Sequence, residues 1–316
     1  MSTPVFGHRY RNAFLFIVLA GVWGGTYPAV KVGLEDFPPI LYAAFRLDLA
    51  AVLLLLYAAN SFTYWLPRSG RDWLAVFSGG VLTLAGYSVL LNIGQRTVPS
   101  AIAAVLAGLI PLLTIGFAKA LLPEEDFGIT ELLGVILGFV GLVVITRPDP
   151  SNLLTTDTLG QLTLVLAAAS FALGGVLTQW ANAEMPFSPR TAWAMLVGAI
   201  FTHVASYVSA NESIQHVQIS TQGVLALIYL GVFVSAIGYL IYFDLLPRLG
   251  SVELNLVTYG TAMFGTIFSW FLFGDQITIA TVSGFCLIMF GFVLLKREEF
   301  YEECTKVLGD VRTESR

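Results

Sequence analysis

Charge is scarce in this sequence. Only 12% of its 316 residues are Asp, Glu, Lys or Arg, about half of the roughly 25% carried by ordinary globular chains. That shortfall leaves too little polar surface for a water-soluble enzyme of normal make-up. It also excludes a nucleic-acid binder, which needs a basic face, and a disordered chain, which needs high charge and few apolar residues. Cysteine is nearly absent: Cys286 lies in an apolar run and Cys304 in the charged tail, too few and too differently placed for a disulfide framework or a thiolate metal site. The three histidines, His8, His203 and His216, are scattered, and neither His-Glu-x-x-His nor Gly-x-x-x-x-Gly-Lys-[Ser/Thr] occurs. Metal chemistry and ATP hydrolysis are therefore not expected, no cofactor is implied, and any work must draw on an ion or substrate gradient.

Apolar residues are abundant instead, at 56%. A helix needs about 20 mostly apolar residues to cross a hydrocarbon core of about 30 Å. Ten such stretches can be placed, over 13–33, 38–58, 73–93, 99–121, 128–146, 158–180, 187–208, 222–244, 250–273 and 276–295. The breaks between them are short and carry stop signals, as in Asp36-Phe37-Pro38-Pro39, Pro123-Glu124-Glu125-Asp126 and Pro247-Arg248-Leu249-Gly250, so neighbouring helices must run antiparallel. The fold class is an all-α membrane protein, multi-pass in the cell membrane, with the lipid bilayer as a partner. Cytoplasmic loops retain Lys and Arg. Placing both ends in the cytoplasm puts twelve basic residues inside and only Lys31, Arg96 and Arg147 outside. The sequon at Asn211 then falls in an outer loop, where chance occurrence and glycosylation are both open.

The two halves of the chain resemble each other. Pro38 and Ala44 fall on Pro186 and Ala192 at a shift of 148, Gly80 and Ser100 on Gly231 and Ser251 at 151, and Gly134 and Gly141 on Gly284 and Gly291 at 150. Five spans per half is an odd number, so the second half must enter the bilayer from the opposite side. Inverted repeats of this kind let many secondary transporters form two related conformations around a site near the midplane. The expected division is a cytoplasmic segment 1–12, a first repeat 13–146, an external linker 147–157, a second repeat 158–297 and a charged cytoplasmic tail 298–316.

The run from Ala20 to Lys31 (Ala-Gly-Val-Trp-Gly-Gly-Thr-Tyr-Pro-Ala-Val-Lys), the Pro38-Pro39 start followed by Ala44-Phe45-Arg46-Leu47, the helix from Ser100 through Pro111 to Pro123-Glu124-Glu125, and the repeated five-helix unit resemble the EamA family of the drug/metabolite transporter superfamily. The similarity covers 13–297, and the runs Ile241 to Leu246 and Glu253 to Val257 look most similar to haloarchaeal members. The resemblance implies a ten-helix carrier with both ends cytoplasmic, usually an exporter of amino acids or other small metabolites. One departure is that Ala262 stands where the first half has Pro111, which makes any hinge argument asymmetric.

Ionisable side chains inside a span cost on the order of 2.5 to 3.5 kcal/mol and need a reason. Counting about 1.5 Å per residue from Pro38 puts Arg46 about 12 Å and Asp48 about 15 Å deep. Two positions turn a helix by about 200°, so the two cannot pair. Arg46 is either a guanidinium facing a cavity, fit to hold a carboxylate or phosphate, or a packing residue tied to carbonyls. Asp48 reads as structural. Glu253, expected about 6 Å inside the ninth span by the same count, is either a carboxylate alternating its protonation or an acid at a helix start. Trp23, Tyr27, Tyr87, Tyr239 and Tyr259, with the amides Asn92 and Asn255, are candidates to line a substrate pathway, whereas Tyr42, Tyr57, Trp65 and Trp73 read as interfacial anchors. Gly24, Gly25, Pro28 and Pro111 are candidate hinges, since glycine permits close approach and proline removes a backbone donor. A small-molecule substrate is implied; a coupling proton or ion and a homodimer remain open. The functional classes left are a secondary carrier, a membrane-embedded enzyme on a lipid-linked substrate, and a passive channel.

Overall fold

The computed structural model describes residues 5–121, 129–146, 156–209, 212–255 and 257–295, and all regular structure among them is helical. Ten rods follow one another. The first is α1 (Val5–Gly24) continued by α2 (Thr26–Gly33), and the second is α3 (Pro39–Ser61). The third joins α4 (Gly70–Ser78) to α5 (Tyr87–Gly94) through a wide π-helical segment, Gly79–Gly86. The fourth joins α6 (Ser100–Leu106) to α7 (Ile110–Leu121) through a 3-10 turn, Ala107–Leu109, and the fifth is α8 (Ile129–Thr146). The sixth and seventh are α9 (Thr156–Trp180) and α10 (Phe187–Val208). The eighth runs through α11 (Thr221–Ile228), a second π-helical segment, Tyr229–Ile237, and α12 (Gly238–Asn255). The ninth and tenth are α13 (Val257–Phe273) and α14 (Ile279–Leu295). Seven rods are long and apolar enough to cross a bilayer, and the fifth, ninth and tenth carry shorter apolar helices, Ile136–Ile145, Val257–Phe273 and Ile279–Gly291. The protein is an all-α, multi-pass membrane protein.

Local sequence explains the interruptions. The first rod is interrupted at Gly25, where Pro28 lacks the N–H that would have reached back to the Gly24 carbonyl, while Gly25 keeps its own ladder bonds to Gly21 and Ala29. In the fourth rod Pro111 likewise leaves the Ala107 carbonyl without its ladder donor, and the Ile110 N–H takes it in a tighter turn. The ninth rod, with Ala262 in place of that proline, runs unbroken. Three rods begin on an extended proline, Pro38, Pro99 or Pro186. Ser69 and Asp72 close a reciprocal capping box at the start of α4.

The inversion is written in reciprocal contacts between the halves. A methyl group on Gly291 would lie 2.5 Å from the Gly134 carbonyl oxygen, and one on Gly284 would lie 2.6 Å from that of Gly141. Gly134 and Gly141 are the sequence counterparts of Gly284 and Gly291, so the contact of Gly134 with Gly291 maps onto that of Gly284 with Gly141, with the fifth and tenth rods antiparallel. A two-fold axis lying in the membrane plane produces this pattern. The third and eighth rods repeat it: Gly80 approaches the Ala194 carbonyl and Val197 on the seventh rod, while Gly231 approaches the Arg46 carbonyl and Leu49 on the second. Arg46 and Leu49 fall on Ala194 and Val197 at the shift of 148. The two π-helical segments are counterparts as well. Each leaves a carbonyl turned to the facing half, Leu82 O accepting from Ser170 Oγ at 2.8 Å and Val234 O from Trp23 Nε1 at 3.1 Å.

Two expectations need correction. The stop at Pro247 to Gly250 does not end the eighth rod, because α12 continues as helix to Asn255. Glu253 thus sits in the last turn of α12, not at the start of the ninth rod. Pro247 removes one ladder bond within α12, and the helix continues past it. Tyr42 is no interfacial anchor. It is fully buried, stacked on Phe37 at 5.2 Å, with its hydroxyl donating to Ala29 O at 3.1 Å, since its side of α3 faces the bundle. The side chains of Glu253 and Asn255, the acidic run at 122–128, Asn211, the linker at 147–155 and the tail from 296 lie outside the described residues.

Candidate functional site

A cavity of about 80 Å³ lies where the halves meet, bordered by the broken first rod, the second rod and the two π-helical segments with their following turns. Trp23, Tyr27, Arg46, Tyr87 and Tyr239 all line it. The Trp23 indole is fixed by its bond to Val234 O and by Tyr239 and Tyr242, whose ring centroids lie 5.5 and 5.6 Å away. Tyr27 and Tyr87 bring their hydroxyls to 3.5 Å, and Tyr87 stands edge-on to Phe171 at 5.3 Å. Arg46, only 8% exposed, donates from Nε to Ser235 Oγ at 3.0 Å, while its Nη1 is buried without a hydrogen-bond partner. Tyr27, Tyr87 and Tyr239 line the same space as the guanidinium. Thr83 and Thr261, also in the lining, have buried hydroxyls without partners.

Sequence reasoning missed Thr83, Ser235 and Thr261. Small hydroxyl residues within apolar rods were the available signal, and the π-helical turns that aim Thr83 and Ser235 inward leave no periodicity to read. Asn92 does not line the cavity: its amide donates to Pro39 O at 2.9 Å and ties the third rod to the start of the second. Tyr259 packs its ring against Phe285 at 6.2 Å, and its neighbours Thr258 and Thr261 reach the cavity instead. Asp48 turns away from Arg46, as two positions along a helix require, and meets His203 Nε2 at 2.7 Å on the opposite side of the second rod. Among the hinge candidates, Gly24 is a close-approach position where a methyl group would lie 2.6 Å from Phe264 Cβ, and Gly25 admits the Tyr229 ring, whose hydroxyl donates to Val22 O at 2.8 Å. Pro28 and Pro111 are buried.

Polar ties between the halves hold both ends of the bundle, and toward the start of the first rod Arg11 Nη2 donates to Asp244 Oδ2 at 2.9 Å. At the opposite end polar ties join loops from both halves: Asp275 accepts from Lys31 Nζ and from the Ala101 N–H, each at 3.2 Å. Glu212 accepts from the Ile40 and Leu41 N–H groups at 3.0 Å, and Asp36 accepts from Ser220 while its carbonyl takes the Gln218 N–H at 2.8 Å. Toward the Arg11 end Tyr242, Phe243 and Phe187 extend an aromatic layer from Tyr239, with Phe187 and Phe243 at 5.3 Å.

A two-fold bundle of membrane-crossing rods enclosing a polar, aromatic-lined cavity defines the class of multi-pass transport proteins. Comparison with known proteins gives the family: residues 11–147 and 158–297 each match the model of the EamA-like transporter family, and the chain belongs to it. It is 28% identical over 267 residues to "Uncharacterized transporter YdfC" of Bacillus subtilis, spanning 84% of this chain and 85% of that one. It is 25% identical to "Uncharacterized inner membrane transporter YedA" of Escherichia coli K12 over 98% of this chain and 95% of that one. A transporter of Archaeoglobus fulgidus is 24% identical over 87% of this chain and 95% of its own. A solved crystal structure at 19% identity superposes with a TM-score of 0.63 over 90% of this chain and 96% of that one, a likeness of fold.

Proposed function

We propose that this EamA-family protein is a secondary carrier that moves a small metabolite across the cell membrane by alternating access, in the export direction that its family resemblance implies. The observation that carries the reading is the cavity at the meeting of the inverted halves, with polar ties between the halves on either side of it. At about 80 Å³ it holds a handful of waters at roughly 10–15 Å³ each, well short of the roughly 300–1,000 Å³ of an open ligand pocket. A substrate of ordinary size therefore needs the halves to move apart around this space.

Both termini are cytoplasmic in this proposal, on the positive-inside count, which places the Lys31–Asp275 end outside. The first repeat spans 13–146 and the second 158–297. Trp23, Tyr27, Arg46, Tyr87 and Tyr239 form the substrate pathway, and the first rod flexes at Gly24, Gly25 and Pro28 with Pro111 as its unmatched counterpart in the fourth. The acidic surplus of the loops and tail supports the haloarchaeal affinity, since such surfaces suit high salt.

Counterflow in proteoliposomes tests the reading. A carrier preloaded with substrate accumulates labelled substrate transiently and saturates. Non-saturating flux would mark a channel, and chemically altered substrate an enzyme; either result would overturn the proposal.

A further inference from the structure

We propose that the transported molecule carries a net negative charge and seats its carboxylate or phosphate on Arg46. This inference rests on the carrier reading above and adds the substrate's chemical class. A guanidinium keeps its proton in any protein environment, so Arg46 brings a full positive charge into the centre of the bundle. Buried charges are normally paired, because the desolvation penalty of an unpaired one is several kcal/mol after relaxation. Among the described residues lining the cavity there is no Asp or Glu. The acid nearest in sequence, Asp48, is committed to His203 on the other side of the same helix. Ser235 receives Nε, and Nη1 has no partner.

The rest of the lining is also arranged for an anion. Tyr27, Tyr87, Thr83 and Thr261 present hydroxyls that can donate, and the Trp23 N–H is already spent on Val234 O. An ammonium group entering the same space would find no carboxylate and would be repelled by Arg46. Zwitterions and neutral molecules are therefore disfavoured relative to a net anion. Carboxylate and phosphate share this chemistry, and the probes below separate them.

The test uses the purified full chain in proteoliposomes with four probes of similar size: pyruvate, its neutral amide, alanine and inorganic phosphate. We expect saturable counterflow of pyruvate or phosphate at a rate at least tenfold above that of alanine and the amide, and whichever anion exchanges names the group. Arg46→Gln should lower that exchange at least tenfold, Arg46→Lys should retain an intermediate rate, and Ser235→Ala should raise KM with a smaller change in maximal rate. Thermal melts of each variant show whether it is folded, and melts of the wild type should rise with the preferred anion and not with the amide. Alanine or the amide exchanging as fast as the anions would overturn the charge assignment while leaving the carrier standing, as would a folded Arg46→Gln that keeps anion exchange within twofold. Failure of both anions to exchange or to raise the melting temperature would also overturn it. Flux that never saturates with any probe would sink the carrier reading itself.

Discussion

Asp275→Asn should open the end of the bundle that its carboxylate holds shut. Asp275 is 8% exposed, and its oxygens accept from Lys31 Nζ and from the N–H of Ala101 in the first turn of α6. Lys31 also lies over the Phe273 ring at 4.3 Å, which keeps its ammonium beside the acid. Hydrogen bonds to charged groups contribute about 1.5–3 kcal/mol. Because the Lys31 side chain is 34% exposed, solvent screening discounts the pair, and we take about 1–2 kcal/mol for the loss of charge with shape preserved. The contact joins the first, fourth and ninth rods at one end only, so the loss falls on the state closed at that end. By population-shift arithmetic this raises the open state roughly 5- to 30-fold. The assay is labelling of Ser88→Cys, a buried residue in the cavity lining, by a membrane-impermeant maleimide added from the Lys31 side. Cys286 and Cys304 are replaced by serine. The labelling rate should rise by that factor in Asp275→Asn. A folded variant whose rate rises less than twofold would refute the idea that this carboxylate latches the closed state.

The glycine pairs on the fifth and tenth rods give a second expectation. In Gly291→Val the new Cβ would stand 2.5 Å from the Gly134 oxygen and 3.0 Å from the Gly138 nitrogen, so the helices must part. Overpacking of this kind costs about 1–3 kcal/mol, to be read as a lower unfolding temperature in detergent, with Gly175→Val, which meets open space, as the neutral control. The His203–Asp48 pair, with side chains 41% and 44% exposed, should show a double-mutant coupling of about 0.6 kcal/mol, the average for hydrogen bonds between membrane helices. Asp48→Asn, His203→Gln and the double variant measured by unfolding supply it, and zero coupling would mean the contact does no work.

The rods and their repeat were legible in the sequence for a simple reason: a bilayer filters on length and apolarity, and close helix contacts filter on glycine. The Gly134, Gly141, Gly284 and Gly291 landmarks are the residues by which the fifth and tenth rods touch. What the sequence hid was azimuth. Spacing shows that Arg46 and Asp48 point apart, but that Asp48 meets His203, 155 positions away, depends on how the second and seventh rods face each other. Tyr42 looked interfacial by depth and proved buried by direction. The π-helical turns were hidden because they insert a residue without altering composition, and Thr83 and Ser235 owe their place in the cavity to them.

Those turns also make the final expectation possible. Around the π-helical segments the contacts pair at a local shift of 152: Leu82 O meets Ser170 as Val234 O meets Trp23, and a methyl group on Gly86 would meet Ser170 Oγ as one on Gly238 would meet Trp23 Nε1. That shift superposes Leu82 on Val234, Thr83 on Ser235 and Tyr87 on Tyr239. The two tyrosines in the lining are thus a symmetric pair, and Ser235, which receives Arg46 Nε, has Thr83 as its counterpart. Arg46 itself falls on Ala194. The unpartnered Thr83 hydroxyl is explained: it occupies the place of an arginine's acceptor opposite a side chain too short to reach it. The cation is therefore the point at which the two-fold is broken, and moving it to the other half should restore function with the halves exchanged. Arg46→Ala should abolish anion exchange, and adding Ala194→Arg should return part of it, with Thr83 accepting from the new guanidinium. Ala194 is 4% exposed beside Gly79, so the insertion costs about 1–3 kcal/mol by overpacking, and the double variant must first be shown to melt cooperatively. A folded double variant with no more exchange than Arg46→Ala alone would mean that the pseudo-symmetry organises the backbone but not the site. Recovery that is then lost on Thr83→Val would place the anion at the symmetric position.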